Sequence, residues 1–458
     1  MSNTTEKVDT VMLWRKKQIT PARIIIVGFA LLILTGTLLL MLPISTKGPG
    51  GASFLDALFT ATSATCVTGL IVQDTALYWT TFGQFIIILL IQIGGMGVVT
   101  VAVAIAVFSG KKIGLKQRWV MQESISAPQV GGIIRMTGFI LKSLFLMEGI
   151  GAALLAVRFI PEFGVARGLW YSVFHSISAF CNAGFDLMGI KSPFSSLTDY
   201  TGDPIVSLTI AFLIIFGGIG FMTWKDVRQH KYHLRAFSLQ SKLILATTAG
   251  LILIPTLLFY FFEFGRPVWD SLSSGERILA SFFQAVTPRT AGFNSVDLTS
   301  LSEPSQAITI LLMLVGGAPG STAGGFKVTT LAVLVLTASA ILRRQSAPEC
   351  FGRRLMPEAL MNAATIVLLY FTLFFTGGAA ICAMEDITLM EALFETASAV
   401  GTVGLTLGAT PTLGTISKLI LIFLMYFGRV GGLTLIYAML SGKNRQTSMY
   451  PQEKVTVS

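Results

Sequence analysis

Ser63-Ala-Thr-Cys-Val-Thr-Gly69-Leu70 returns three more times along the chain. The later forms are Ser178-Ala-Phe-Cys-Asn-Ala-Gly184-Phe185, Val286-Thr-Pro-Arg-Thr-Ala-Gly292-Phe293 and Ser398-Ala-Val-Gly-Thr-Val-Gly404-Leu405. The glycines are separated by 115, 108 and 112 residues. Ten residues before each stands a phenylalanine (Phe59, Phe174, Phe282, Phe394), and six before stands a serine in three of the four. A second signature follows each glycine: Gly94-Gly-Met-Gly97, Gly217-Gly-Ile-Gly220, Gly316-Gly-Ala-Pro-Gly320 and, less regularly, Gly428-Arg-Val-Gly-Gly432. Two signatures in one order, four times over, mark four copies of one structural unit.

The surroundings of each copy are apolar. Of 458 residues, 53% are hydrophobic and 12% charged, with a mean hydropathy of +0.73. A soluble domain carries roughly twice that charge. Stretches such as Ile24 to Leu42, Phe82 to Phe108 and Ile416 to Leu440 reach the roughly 20 residues that cross a bilayer as a helix. The alternating pattern of a membrane β-barrel is absent. Each unit reads as an apolar span (about 22–43, 133–157, 242–263 and 359–384), a helix too short to cross (about 53–65, 169–180, 276–287 and 389–400), the glycine segment, and a second span (about 82–108, 204–224, 306–341 and 414–440). The expected fold is an all-α polytopic membrane protein. Eight transmembrane helices and four re-entrant pore helices would surround one pseudo-fourfold pore. The expected divisions are a cytoplasmic segment 1–21, repeats at 22–118, 119–240, 241–350 and 351–441, and a cytoplasmic tail 442–458.

Net charge is +10, and the basic residues cluster: Arg15, Lys16, Lys17 and Arg23, then Lys111 to Arg118, Lys225 to Arg235, Arg343 to Arg354, and the tail. Asp186, Asp199, Asp203, Asp297, Glu303, Glu385 and Asp386 fall between these clusters. By the positive-inside rule both termini are cytoplasmic and the acidic loops external, which explains the charge without nucleic acid. The first span is too long for a cleavable signal and lacks a small-residue cleavage site. The basic loops also suit an acidic cytosolic partner or lipid phosphates. Four cysteines and three histidines show no metal-ligand spacing.

Non-helical backbone at membrane depth is tolerated where it is buried in protein or lines water. Four such segments in one chain suit a filter, in which backbone carbonyls replace the hydration shell of a cation. The expected carbonyl donors are Val67, Thr68, Gly69, Asn182, Ala183, Gly184, Thr290, Ala291, Gly292, Thr402, Val403 and Gly404. Each short helix would aim its negative C-terminal end at the ion. The stretch from Gly316 to Gly325 holds five glycines and a proline, which unwinds a helix. Arg429 lies within an apolar span, where a charge signals function. It is expected just below the filter, pairing with loop carbonyls or repelling cations. Lys327 either anchors the Gly-rich stretch through carbonyls or sits in the cavity beneath. Arg289 is expected behind the filter, paired with Glu395 or Glu391, and Cys66 and Cys181 in apolar packing there.

Cys-Asn-Ala-Gly-Phe, Thr-Pro-Arg-Thr-Ala-Gly-Phe and Gly-Thr-Val-Gly-Leu-Thr resemble the pore loops of the Trk/Ktr/HKT superfamily of potassium transporters. The likeness covers nearly the whole chain and is closest to the Ktr membrane subunit (KtrB). It implies potassium uptake across a bacterial plasma membrane, with no covalent cofactor and with sodium as a possible second ion. It also implies a homodimer with one pore per protomer. A cytosolic RCK ring, KtrA- or TrkA-like, would bind adenine nucleotide and regulate it. By the same resemblance Gly316, Gly317, Ala318, Pro319, Gly320, Ser321, Thr322, Ala323, Gly324 and Gly325 form an intramembrane loop that occludes the pore, with Lys327 and Arg429 completing the gate. In the family, serine at the first filter glycine accompanies sodium permeation, and Gly69 here favours potassium. A sodium- or proton-coupled symporter is the alternative, with Glu148 as the main coupling carboxylate. An enzyme would need convergent groups at membrane depth, and His175 has no carboxylate at useful spacing.

Overall fold

The computed structural model describes residues 20–108, 114–124, 133–231, 233–345, 347–432 and 434. Nearly all of the expected segment 1–21, the tail 442–458, part of the basic stretch from Lys111 and the end of the span at 414–440 lie outside them. Among the described residues, four helices are long and apolar enough to cross a membrane: Pro21–Leu40, Arg135–Phe163, Leu239–Glu263 and Pro357–Met384. We call these the outer helices. Two begin with proline in the first turn, where its missing N–H leaves no helical bond unmade. On the first, Leu31, Leu34 and Leu38 are exposed while Phe29, Ile33 and Leu40 are buried, so one stripe faces protein and the other is free to meet lipid.

A shorter helix follows each outer helix: Phe54–Cys66, Val165–Phe180, Ser274–Val286 and Leu389–Gly401. Three start on a hydroxyl cap. The Ser53 side chain accepts from the Asp56 N–H, and Ser273–Glu276 and Thr388–Glu391 form reciprocal capping boxes, which satisfy N–H groups that a helix start leaves unpaired. Their C-terminal halves carry fully buried hydroxyls, including Ser63, Ser178, Thr287 and Ser398. Buried polar groups need internal partners, and the glycine segments supply them.

The second spans expected at 82–108 and 204–224 are each bent. Thr81–Met96 turns through 95° at Gly97 into the next helix, and Pro204–Ile219 turns through 92° at Gly220 into Phe221–His230. Gly97 and Gly220 have φ of 84° and 90°, a region open to glycine at no steric cost. The third inner span is two helices, Glu303–Leu314 and Val328–Leu342, separated by the glycine-rich stretch. The fourth, Thr415–Val430, ends at Gly431 with φ 92°. Gly97, Gly220 and Gly431 each stand three residues after the first glycine of their signature. Buried apolar side chains form two clusters. One includes Phe29, Trp79, Phe159 and Phe180, and the other Phe259, Tyr370, Phe394 and Phe427.

Candidate ion pathway

Three of the four short helices end alike. After Cys66, the Thr68 N–H donates to Ser63 O at 2.8 Å and the Val67 N–H to Ala64 O at 3.2 Å. Ala183 and Asn182 repeat this on Ser178 and Ala179, and Val403 and Thr402 on Ser398 and Ala399. This is the Schellman helix ending, whose left-handed residue is usually glycine. Here the left-handed residues are Val67, Asn182 and Thr402, with Thr290 in the third unit, at φ of 58°, 61°, 51° and 64°. A non-glycine residue held there stores strain of roughly 1–2 kcal/mol. Two residues on, Gly69, Gly184, Gly292 and Gly404 are again left-handed, at 95°, 70°, 79° and 98°.

These glycines touch one another's segments in a closed cycle. A Cβ on Gly69 would meet Ala183 O, one on Gly184 would meet Ala291 O, one on Gly292 Val403 O, and one on Gly404 Thr68 O, each at 2.7 Å or less. Each glycine therefore lies against the carbonyl before the next glycine, in chain order, until the fourth returns to the first. The cycle is pinned to the short helices by their hydroxyls. Ser63 and Ser398 accept from the Gly69 and Gly404 N–H groups at 3.1 and 2.9 Å. Ser178 donates to Phe185 O at 2.7 Å, and Thr287 donates to Phe293 O. A hydroxyl thus pins the glycine segment in all four units, six residues before the glycine in three and five before it, at Thr287, in the third. Replacing Ser398 by alanine leaves the buried Gly404 N–H unpaired, at a cost of about 1–3 kcal/mol. Thermal unfolding in detergent is expected to shift downward for Ser398→Ala.

The second signature closes on the same place. Cβ atoms on Gly94, Gly217 and Gly428 would collide with Thr65 O, Phe180 O and Val400 O, the carbonyls four residues before three of the cycle's glycines. Only glycine lets these inner helices approach so closely.

The glycine-rich stretch packs against these same segments, with Gly324 against Thr402 and Thr322 against Asn182. Its ends are side by side: Val315 bridges Phe326, and the Gly316 N–H donates to Phe326 O at 2.8 Å. Its body docks on the second unit's bend, with the Ala318 N–H on Gly218 O at 2.8 Å and the Phe221 N–H on Gly320 O at 3.0 Å. The backbone is thus satisfied by protein, as membrane depth requires. Arg429 donates to Thr322 O and to Gly94 O and Gly95 O. Lys327 Nζ donates to Ala323 O at 2.9 Å and Gly324 O at 3.3 Å. Lys327 also lines a cavity of about 210 Å³ with Met96, Gly320, Ser321 and Arg429.

The TrkH family model, described as a cation transport protein, matches residues 17–447. The chain belongs to that family. It is 42% identical over 449 residues to the Ktr system potassium uptake protein B of Bacillus subtilis, covering 98% of each chain. It is 39% identical to the potassium/sodium uptake protein NtpJ of Enterococcus hirae, covering 96% of this chain and 98% of that one. The crystal structure of the potassium transporter TrkH from Vibrio parahaemolyticus has the same fold, with a TM-score of 0.71 at 19% identity over 94% of this chain and 86% of that one. These relatives are transporters, not enzymes, and so is this TrkH-family chain.

One expectation about side chains around the cycle needs correction. Arg289 is buried but pairs with neither Glu395 nor Glu391: its guanidinium reaches Thr248 Oγ1 at 3.3 Å. Glu395 is instead bound by the Thr406 and Thr410 hydroxyls, and Glu391 caps its own helix. Pairing failed because each carboxylate already has nearer donors in its own unit. Cys181 is buried within the first apolar cluster, as expected, and its Sγ also lies 3.8 Å from Gln92 Oε1 and 3.9 Å from Glu148 Oε1. Glu148 is buried in the second outer helix and accepts from Gln92 Nε2 at 3.0 and 3.2 Å. His175 bridges its own helix and the segment after Gly184, with Nδ1 at 2.7 Å from Tyr171 O and Nε2 accepting from the Leu187 N–H at 3.2 Å. Both ring nitrogens are thereby used structurally. The described residues contain no group of three His, Cys, Asp or Glu fit for a metal, and a carbonyl-ligated cation needs none.

Proposed function

We propose that this chain takes up potassium across a bacterial plasma membrane through one pore. Four membrane–pore–membrane repeats build it, with eight crossings, four re-entrant helices and both termini in the cytoplasm. Carbonyls of the twelve residues 67–69, 182–184, 290–292 and 402–404 form its filter. The stretch 316–325, held by Arg429 and Lys327, closes it from below. The observation that carries this reading is the closed cycle of glycines, since four left-handed pairs around one axis are hard to explain by packing alone. Left-handed backbone at the first and third residues of each segment turns successive carbonyls to one side, as a cation's coordination demands. The hydroxyl oxygens of Thr68 and Thr402 are buried without a protein partner, which suits an ion or water as the missing contact. The names of the Bacillus and Enterococcus relatives support potassium, with sodium as a second ion. Resemblance adds a homodimer and a cytosolic RCK ring that binds adenine nucleotide.

The test is growth of a potassium-uptake-deficient bacterium on low potassium, with and without an RCK subunit. Rescue is the expected result. Failure to rescue with the protein present in the membrane removes the potassium assignment. A second reading, coupled symport, has one observation in its favour, the buried carboxyl of Glu148 beside the second segment. Reconstituted current that reverses at the potassium equilibrium potential excludes it. A reversal that moves with the sodium or proton gradient supports it.

A further inference from the structure

Thr322 is where the loop meets the glycine cycle. Its N–H donates to Gly217 O at 3.3 Å and its carbonyl accepts from Arg429. Its hydroxyl lies 3.0 Å from Asn182 Oδ1 and 3.1 Å from Phe180 O. A hydroxyl has one proton to give, and both of these neighbours only accept, so the two share it. The other end of the same amide faces the third segment: Asn182 Nδ2 donates to Arg289 O at 3.3 Å, with Thr290 Oγ1 and Ile214 O at 3.5 Å. Asn182 and Thr322 are both fully buried.

This arrangement breaks the fourfold likeness at one point. At the place of Asn182 the other units carry Val67, Thr290 and Thr402. None of these presents an acceptor and a donor on opposite edges of one planar group. The left-handed backbone does not require asparagine, because valine and threonine hold it in the other units. What asparagine adds is reach in two directions, to the loop with its oxygen and to the neighbouring segment with its nitrogen.

We propose that Asn182 is a positioning residue that couples the loop to the filter, so that the loop's place sets how sharply the filter discriminates between cations. The proposal rests on the filter and loop assignments above. With the loop seated, Thr322 orients the amide, and the amide holds the Arg289 carbonyl and through it the third segment. When the loop withdraws, the amide oxygen loses its donor inside a dry interior, where an unmade hydrogen bond is costly. The amide then turns to another partner, and the third segment loses its tether. Linkage is reciprocal: an ion that favours the tethered filter also favours the seated loop.

The experiment uses the full-length chain in liposomes, with rubidium and sodium tracer influx as readouts. Thr322→Val removes the hydroxyl and nearly keeps the shape. Asn182→Thr installs the residue of the third and fourth units. Each is expected to change the rubidium-to-sodium rate ratio about fivefold, the worth of one net buried hydrogen bond. The double variant should change it no more than the larger single, and Thr322→Ser should bring the ratio back. In a chain lacking 316–325, Asn182→Thr should leave the ratio where the deletion put it. Single variants that scale both ions by one factor, or ratio changes that multiply in the double, overturn the coupling. A deletion that leaves both fluxes at the intact level overturns the loop assignment instead. Raised fluxes in the deletion together with an unmoved ratio in Thr322→Val sink only the coupling.

Discussion

Replacing Gly69 by serine is expected to lower the preference for potassium over sodium by at least about tenfold. Gly69 sits at φ 95°, and a Cβ there would stand 2.5 Å from Ala183 O, 3.1 Å from Gly184 Cα and 3.2 Å from Gly404 Cα. All three neighbours are backbone of the adjoining segments, so none can rotate away. The new side chain must push the second and fourth segments outward or pull its own back. Left-handed strain alone is about 1–2 kcal/mol, and tenfold in relative affinity needs only about 1.4 kcal/mol. Competition of potassium against sodium-22 influx in liposomes measures the change. Gly48 is the control, since a Cβ there meets nothing within 4 Å and Gly48→Ser should match the parent. An unchanged ratio in Gly69→Ser removes this glycine from the pathway.

Deleting 316–325 is expected to raise potassium flux at least about tenfold in the absence of any cytosolic partner. The chain can close the gap with little rearrangement, because Val315 and Phe326 are already bridged. What disappears is a loop fastened by backbone bonds to Gly217 and Gly218 and by the Arg429 and Lys327 contacts, the segment proposed above to close the pore. The freed Arg429 keeps the carbonyls of Gly94 and Gly95 as partners, so its charge is not stranded. Stopped-flow flux from potassium-loaded vesicles gives the comparison. Flux no higher than that of the intact chain means the barrier lies elsewhere.

The short helices and the left-handed glycine segments after them were legible in the sequence, because each rests on residue types that local backbone demands. The short helices end within one residue of their expected ends. The bends at Gly97 and Gly220 were not legible: glycine in an apolar run reads equally as a close-packing site. It takes the contact of Gly94 with Thr65 O and of Gly217 with Phe180 O to show that packing and bending sit three residues apart. Arg429 shows the gain from aligning units. It stands in its unit where Gly95 and Gly218 stand in theirs, and so a guanidinium starts from a position that carries no side chain in those two. Arg289 shows the loss, since a buried charge announces itself in sequence but its partner does not. The bond between Thr322 and Asn182 spans 140 residues, and neither residue is unusual where it stands.

Among the described residues, one inner helix of the four opens into a long loop. An assembly of four identical subunits could not do this, since every subunit would carry the loop or none would. Fusing the units into one polypeptide frees each quadrant to diverge by itself. In the reading proposed here, a regulator then has a single moving part to displace, and opening needs no agreement among four copies. Activation by such a regulator should therefore rise without the steep sigmoidal onset of a concerted tetramer. Gene duplication, on this view, gave up symmetry in exchange for a one-step switch.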